Sequence, residues 1–447
     1  MAESDDHDEL HGVHSTLDLA LRVGELLLSN GAGAADVTAT MDAIVRHLGL
    51  RGVLVDVTFT NLTLTFQRRH DEPAYARTRH VNYRVTDLED LTLVDQLVSA
   101  LLRDEITRDE ARSWLAQIAS TGHRTPRWAI SLSWGAITAG VAAVIGGDWV
   151  VCAIAFVAAV LLELLKRAFE RRRLPVFYQQ VAGGLLATLL AVSLAATDLD
   201  VNPSLVVTAS IIMLLAGLGF IGAIQDALTG FYITAVARLL EVMIATAGII
   251  VGVSGGLTVA GMLGVDVALD PGAAGFSRLP TLVVGAAVSA AGFAFSAYAP
   301  YRSLVPIAVI GSLAAAVSYV VMLQDVGRAW SAAIAAIGIG VVSYTVATWV
   351  KVPPLVVIVP AIVPMLPGLS IYRGLSLMAD GDINGILAMV TAAGIAISLA
   401  SGVILGEYVA QPLQREARRL ERRLSGPRLV GPLRMPRRPR RRRPSRE

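Results

Sequence analysis

The sequence has little charge, one cysteine and no cluster of cysteine and histidine. Charged residues make up 17% of the 447 residues, against about 25% in a soluble globular chain, so we exclude a soluble globular protein. The single cysteine, Cys152, excludes an intrachain disulfide. Without a Cys/His cluster we predict neither a metal nor a cofactor. The acidic, polar residues 1–20 do not have the pattern of a cleaved signal peptide.

Long apolar runs dominate the rest of the chain. Hydrophobic residues make up 54% of the sequence, and the mean hydropathy is +0.60. A helix needs about 20 apolar residues to cross a bilayer, and ten runs approach that length. They lie near residues 128–147, 149–165, 176–197, 203–224, 231–253, 280–298, 303–322, 329–350, 354–371 and 383–407. These runs predict an α-helical polytopic membrane protein with ten transmembrane helices.

The basic residues predict how the chain crosses the membrane. Lys and Arg concentrate in every second loop and in the tail, whereas the alternate loops carry mainly Asp. The positive-inside rule then places both termini in the cytoplasm. Because each half contains an odd number of spans, five, the two halves enter the membrane in opposite senses. We therefore predict two inverted five-helix repeats, 128–253 and 280–410, joined by an extracytoplasmic loop at 254–279.

The ends of the chain differ from its apolar part. Residues 1–15 are acidic and are predicted to be disordered. Residues 16–127 carry a mixed pattern that predicts a small cytoplasmic α+β domain. The Arg-rich residues 411–447 form a cytoplasmic tail, which we expect to touch anionic lipid head groups rather than nucleic acid.

Local signals in residues 16–127 place helix ends and strands. Asn30-Gly31 ends a first helix, and Thr107 with Glu110 forms a capping box that opens the last one. Alternating apolar residues change phase at 60–61, which predicts a bulge or bend. A further alternation at Val81, Tyr83 and Val85 predicts another short strand.

One stretch recurs in the two halves. From Ala216 the chain reads AGLGFIGAIQDALTG, and from Pro367 it reads PGLSIYRGLSLMADG. The aligned glycines are Gly217 with Gly368 and Gly230 with Gly381. Glycines and prolines here interrupt apolar runs, and a broken helix at membrane depth is tolerated where irregular backbone lines a cavity. Such breaks are typical of the substrate sites of secondary transporters.

Three charged residues lie within the first copy or shortly after it. Asp226 lies in the predicted break, and Arg238 and Glu241 lie one turn apart on the fifth run, where they are expected to pair. One possibility is that the pair of Arg238 and Glu241 is structural and seals helix packing. The other is that Arg238 or a helix N-terminus meets a substrate carboxylate, while Asp226 or Glu241 meets an ammonium group or carries a coupling proton. The candidate substrate- or ion-binding residues are Asp226, Arg238, Glu241, Gly217, Gly230, Pro367, Gly368 and Arg373.

Enzyme chemistry finds little support. Gly217, Gly219 and Gly222 spell a dinucleotide-binding fingerprint, but this motif needs a preceding strand, and here it lies between apolar runs. Residues 16–123 contain no nucleophile elbow, metal cluster or phosphate loop. We therefore predict a protein that is not an enzyme and has no catalytic residues.

Four blocks resemble the threonine/serine exporter family of bacterial inner membranes. They are LLLSNGAGAADVTATMDAIVRHLGL with the following VDVTFTNLTLTF, HVNYRVTDLEDLTLVDQLV, GFIGAIQDALTGFYITAVARLLE and VPMLPGLSIYRGL. The resemblance covers about residues 16–410. It implies a multi-pass plasma-membrane protein with a cytoplasmic N-terminal domain that exports threonine and serine, driven by the proton gradient. It also implies a relative with two separate chains that is associated with dicarboxylate export.

The leading hypothesis is a proton-coupled exporter of small hydroxy amino acids. The alternatives are a dicarboxylate exporter of the succinate type, or a membrane-anchored enzyme or sensor domain. The expected partners are the amino acid, protons and membrane lipids, with no nucleic acid; a homo-oligomer is left open. Ala216 stands where the family commonly has proline, whereas Pro367 keeps it.

Overall fold

The computed structural model describes residues 2–68, 71–81, 85–123, 125–195, 203–214, 217–262, 278–367, 370–371, 374, 377–378 and 381–424. Two of the predicted site residues, Gly368 and Arg373, lie outside this part of the chain. The described chain is mostly helical, with one small sheet near the N-terminus.

The N-terminal region packs four helices with a three-stranded sheet. The elements are α1 (Ala2–Ser29), α2 (Ala34–His47), β1 (Leu54–Val57), β2 (Asn61–Phe66), β3 (Tyr75–His80), α3 (Leu88–Leu102) and α4 (Arg108–Ser120). The sheet is antiparallel in the order β1-β2-β3, with Val57 opposite Leu62 and Asn61 opposite His80. Alternate residues of β2 point into a core that the helices complete. The predicted capping box at Thr107 is present. Residues 2–15, which were predicted to be disordered, are helical and lie within α1.

Two of the strand predictions can be compared with the structure. Of the two structures predicted at 60–61, a bulge or a bend, the chain forms a bend. It is the hairpin turn between the paired strands β1 and β2, where the Thr58 N–H donates to the Asn61 carbonyl at 2.8 Å. Val81 and Val85, which were predicted to belong to a further strand, lie outside any strand, and β3 instead occupies Tyr75–His80 and is largely exposed. No residue of β3 is buried, so this strand lacks the apolar alternation from which strands are predicted. Tyr83 lies outside the described residues.

The rest of the described chain forms a helical bundle. The helices are α5 (Arg127–Val144), α6 (Trp149–Arg171), α7 (Val176–Ala195), α8 (Pro203–Leu214), α9 (Gly217–Leu228), α10 (Tyr232–Met262), α11 (Leu279–Ser296), α12 (Tyr301–Met322), α13 (Arg328–Val350), α14 (Pro354–Ile362), followed by the 3₁₀ turn Val363–Met365, and α15 (Asn384–Leu424). Within the described residues, seven are long and apolar enough to cross a membrane: α6, α7, α10, α11, α12, α13 and α15. The protein is therefore a polytopic membrane protein; ten spans and inverted repeats stay predictions.

Glycines allow the long helices to approach closely. A Cβ built on Gly252 of α10 would stand 2.9 Å from the Leu185 nitrogen of α7, and one on Gly340 of α13 would stand 2.9 Å from the Gly406 Cα of α15. Real Cβ atoms do not come this close, so both helix pairs depend on glycine. Small residues at helix contacts are how membrane helices gain packing energy without a hydrophobic driving force.

The N-terminal region is attached to the bundle near the start of α12. The Leu88 N–H donates to the Ala297 carbonyl at 2.8 Å. The His123 ring stacks on Tyr298 with a centroid separation of 3.7 Å. Its two ring nitrogens lie 2.6 Å from Asp87 Oδ2 and 2.9 Å from Glu89 Oε2. One continuous apolar core therefore runs from α1 to the helices of the second half.

Candidate transport site

The connection between α1 and α2 is shaped by its small residues. Gly31 adopts a φ of +97°, a left-handed conformation that favours glycine. The Ala32 N–H donates back to the Leu27 carbonyl at 3.0 Å, which closes a Schellman-type end on α1. Gly33 is extended, at φ −69° and ψ 151°, and α2 begins at Ala34. We call residues 30–34 the docking loop, because they lie against α9 and α10.

The predicted break around Asp226 is in the wrong place. Residues from Gly217 to Leu228 form helix α9, and Asp226 lies in its last turn. The chain turns at Gly230, where φ is +91°, and α10 begins at Tyr232. The Phe231 N–H donates to the Asp226 carbonyl at 2.8 Å. The backbone at Asp226 is thus engaged in a helix end, and its side chain carries the interactions with the rest of the site.

Asp226, Arg238 and the docking loop meet in one buried cluster. Asp226 Oδ1 accepts the Ala34 N–H at 2.9 Å, and Asp226 Oδ2 lies 3.2 Å from Arg238 Nε. Arg238 Nη2 donates to the Ala32 carbonyl at 3.1 Å. The Asp226 residue is 0% exposed and Arg238 is 7% exposed. The pair therefore joins two membrane-domain helices to the main chain of the N-terminal region.

The predicted pairing of Arg238 with Glu241 is wrong. Arg238 pairs with Asp226 of α9, and the side chain of Glu241 is exposed. The difference comes from the direction in which the Arg238 side chain points, because a side chain on a helix leans toward the N-terminus of that helix. Arg238 accordingly points back to the turn at Gly230 and reaches Asp226, whereas Glu241 lies one turn in the opposite direction.

A cavity of about 280 Å³ adjoins the pair. The docking loop, helices of the first half and helices of the second half all contribute to its wall. Its polar lining residues include Asn30, Gln180, Gln225, Arg238, Glu241 and Glu407, and α14 with α15 supplies aliphatic side chains. Within the described lining, one guanidinium faces two carboxylates. Such a cavity is suited to a small solute that carries a positive group as well as a negative one.

Two acidic residues of this region were missed. Glu407 lies in α15, which runs as an apolar helix to residue 410, and lines the cavity. An isolated acidic residue in an apolar run was the signal that identified Glu241, and it applies equally to Glu407. Asp36 lies near the carboxylate of Asp226, with Oδ2 3.8 Å from the Cβ position of Gly33. Desolvation among the surrounding helices, and then the charge of Asp226, raise the pKa of Asp36 above its ordinary value.

The other predicted site residues lie elsewhere. Pro367 lines a second cavity of about 260 Å³, together with Arg278, Arg328 and Ser370. Gly217 is the first residue of α9, and Gly230 has no atom within 4 Å of its Cβ position. The structure thus brings Asp226 and Arg238 together, next to the cavity that Glu241 lines. Pro367 lies at a different cavity.

Comparison with known proteins supplies relatives over most of the chain. A family model described as "Putative threonine/serine exporter" matches residues 18–260, and one described as "Threonine/Serine exporter, ThrE" matches residues 282–409. A probable threonine/serine exporter of Mycobacterium tuberculosis is 34% identical over 423 residues, which cover 92% of this chain and 79% of that protein. A threonine/serine exporter of Corynebacterium glutamicum is 32% identical over 421 residues, covering 92% and 85%.

A more distant relative matches only part of the chain. The probable succinate transporter subunit YjjP of Escherichia coli is 24% identical over 247 residues, which cover 55% of this chain and 95% of that protein. No solved structure matches the chain.

Proposed function

This chain belongs to the threonine/serine exporter family, and we propose that it exports threonine and serine across the bacterial plasma membrane by secondary transport driven by the proton gradient. The family is one of transporters and not of enzymes. The observation that carries the proposal for the site is the buried Asp226–Arg238 pair beside a cavity that both halves of the chain line.

The charge pair matches the common part of an amino acid. Arg238 offers a guanidinium that can bind a carboxylate through two N–H groups, and Asp226 offers a carboxylate for an ammonium group. The two side chains lie 3.2 Å apart at their nearest atoms, and the ammonium and carboxylate groups of an amino acid are joined through one carbon. We propose that the pair holds these two groups and that the adjoining cavity holds the side chain.

Proton coupling needs a carboxyl group that can bind and release a proton within the transport path. Glu241 and Glu407 line the cavity from opposite halves of the chain. A membrane potential of about 100 mV supplies about 2.3 kcal/mol for each charge that crosses. We propose Glu241 as the coupling group, with Glu407 as the second carboxylate of the same path.

The dicarboxylate alternative fits the cavity less well. A dianion such as succinate requires two cationic partners, and the described lining offers one guanidinium beside two carboxylates. Like charges at close range raise the cost of binding a dianion. The relationship to YjjP keeps this alternative worth testing. Arg373, a candidate binding residue that would supply a second positive charge, lies outside the described residues.

Counterflow in proteoliposomes tests the function. Purified protein loaded with unlabelled threonine is expected to accumulate labelled threonine and serine, and not labelled succinate. A proton ionophore should abolish net uphill efflux without abolishing exchange. Exchange of succinate at the rate of threonine would favour the alternative.

Variants assign the roles. Asp226→Asn and Arg238→Ala are each expected to abolish threonine exchange while the protein still inserts in the membrane. Glu241→Gln should keep exchange and lose dependence on the proton gradient. If Glu407→Gln shows that loss and Glu241→Gln does not, the coupling role belongs to Glu407.

The orientation is also a proposal. We place both termini and the N-terminal region in the cytoplasm because the basic loops lie on that side. A reporter active only outside should be silent when fused after Arg173 and active when fused after Asp270. The opposite result would reverse the topology.

A further inference from the structure

The docking loop covers the charge pair with its main chain. The Ala34 N–H reaches Asp226 Oδ1 and the Ala32 carbonyl reaches Arg238 Nη2, at 2.9 Å and 3.1 Å. Gly33 alone separates these two residues. A Cβ built on Gly33 would stand 3.6 Å from Asp226 Oδ1, which is ordinary van der Waals contact. The loop therefore lies directly on the carboxylate, and its polar contacts with the pair come from backbone groups.

These backbone groups have the polarity of an amino acid. The Ala34 N–H is the first of helix α2, and helix N-termini carry roughly half a positive charge on N–H groups that lack partners within the helix. No side chain of the docking loop caps the N-terminus of α2. The Asp226 carboxylate caps it instead, by accepting the Ala34 N–H. The Ala32 carbonyl presents a partly negative oxygen to Arg238. The loop thus offers the pair one positive and one negative group.

We infer that residues 32–34 are an internal ligand of the transport site, so that the substrate reaches both Asp226 and Arg238 only when the docking loop withdraws. This inference rests on the proposed function of the pair. The main chain takes the positions of the ammonium and carboxylate groups, and the N-terminal region thereby gates the site.

Accessibility supports this order of events. Arg238 lines the cavity, whereas the Asp226 side chain is 0% exposed beneath the loop. A substrate in the cavity meets Arg238 first, and it gains Asp226 only by replacing the Ala34 N–H. Because the binding-competent state is the one with the loop displaced, the loop reduces the apparent affinity for substrate. A loop docked in about four-fifths of the molecules raises the apparent Kd about fivefold.

Replacement of Ala34 by proline tests the contact with little disturbance of the fold. Proline has no N–H and is favoured at the first position of a helix. It also requires an extended residue before it, and Gly33 already has φ −69° and ψ 151°. Ala34→Gly is the matched control, because it keeps the N–H while changing the same side chain. Labelled threonine binding is measured for both variants and the wild type.

We expect Ala34→Pro to bind threonine about fivefold more tightly than the wild type, and Ala34→Gly to bind within about twofold of it. A loop that only attaches the domain predicts the reverse pattern, in which Ala34→Pro loses thermal stability and gains no affinity. That result overturns the inference.

Hydrogen exchange in the wild type gives a second test that needs no variant. Saturating threonine should speed amide exchange in a peptide spanning the docking loop, because the Ala34 N–H leaves Asp226. A peptide from α4 serves as the control and should not change. Transport of threonine with unchanged exchange in the docking loop overturns the gating inference alone. Absence of threonine binding in the wild type and both variants overturns the proposed function as well.

Discussion

The partner of Arg238 can be determined by double-mutant cycles. The structure pairs Arg238 with Asp226, which is twelve positions earlier, while the local sequence favours Glu241 at the next turn. Three neutralising changes are needed: Asp226→Asn, Arg238→Met and Glu241→Gln. Each pair of single variants is compared with its double variant, so that the coupling energy of Arg238 with each carboxylate is obtained separately.

The expected coupling follows from the geometry. Two unit charges 3.2 Å apart interact by about 5 kcal/mol at an effective dielectric constant of about 20. Desolvation of both groups offsets part of this, since Asp226 is 0% exposed and Arg238 is 7% exposed. We expect a coupling of about 2 kcal/mol for Arg238 with Asp226. For Arg238 with the exposed Glu241 we expect less than about 0.5 kcal/mol.

The free energy of unfolding in mixed detergent micelles provides the measurement. Asp226→Asn keeps an oxygen that accepts from Ala34, so it removes the charge while retaining the hydrogen bond. It leaves the Arg238 guanidinium buried without its counter-ion, which costs about 3 kcal/mol. A coupling below about 0.5 kcal/mol for Asp226, or a larger one for Glu241, would refute the assignment of the pair.

Two further predictions concern the attachment of the N-terminal region and the packing of the bundle. Burial lowers the pKa of His123, but the hydrogen bond to Glu89 and the nearby carboxylates outweigh it, so the pKa of His123 lies above 6.5. Burial and the charge of Asp87 raise the pKa of Asp90 to about 6. Both groups bind protons more tightly in the folded protein than in the unfolded chain, so their contribution to stability decreases as the pH rises. The contribution of Asp90 is lost between pH 3.8 and about 6. The contribution of His123 is lost as the pH rises above 6.5. The thermal midpoint should fall as the pH rises above 6.5, and it should fall less in His123→Gln. A rise in the wild type over this range would contradict the prediction. In α10, Gly252→Ala should destabilise the protein by about 1–3 kcal/mol by overpacking against α7. Gly255, whose Cβ position has no atom of the described residues within 4 Å, is the control, and Gly255→Ala should be neutral or stabilising. Equal effects of the two changes on the unfolding free energy would contradict the close packing.

Features that depend only on residues close together in the sequence could be predicted from it. The apolar runs predict membrane helices because twenty or so consecutive residues determine whether a segment partitions into a bilayer. The capping box at Thr107 and the helix end before Gly31 follow from side chains and backbone within a few residues. The phase change at 60–61 was detected for the same reason, although the choice between a bulge and a bend needed the pairing of β1 with β2.

The composition of the site depended on contacts between distant parts of the chain. The Ala34 N–H and Asp226 are 192 residues apart, and Ala32 and Arg238 are 206 residues apart. Sequence spacing identified Asp226 and Arg238 as costly charges in an apolar region. It assigned the wrong partner to Arg238 because spacing alone does not state which way a side chain leans. The apolar composition determined that this is a membrane protein, since burial in lipid is a sum over single residues. Only the packed helices and the docked loop decided which groups satisfy the buried charges, because that choice depends on direction and distance between elements that the sequence keeps far apart.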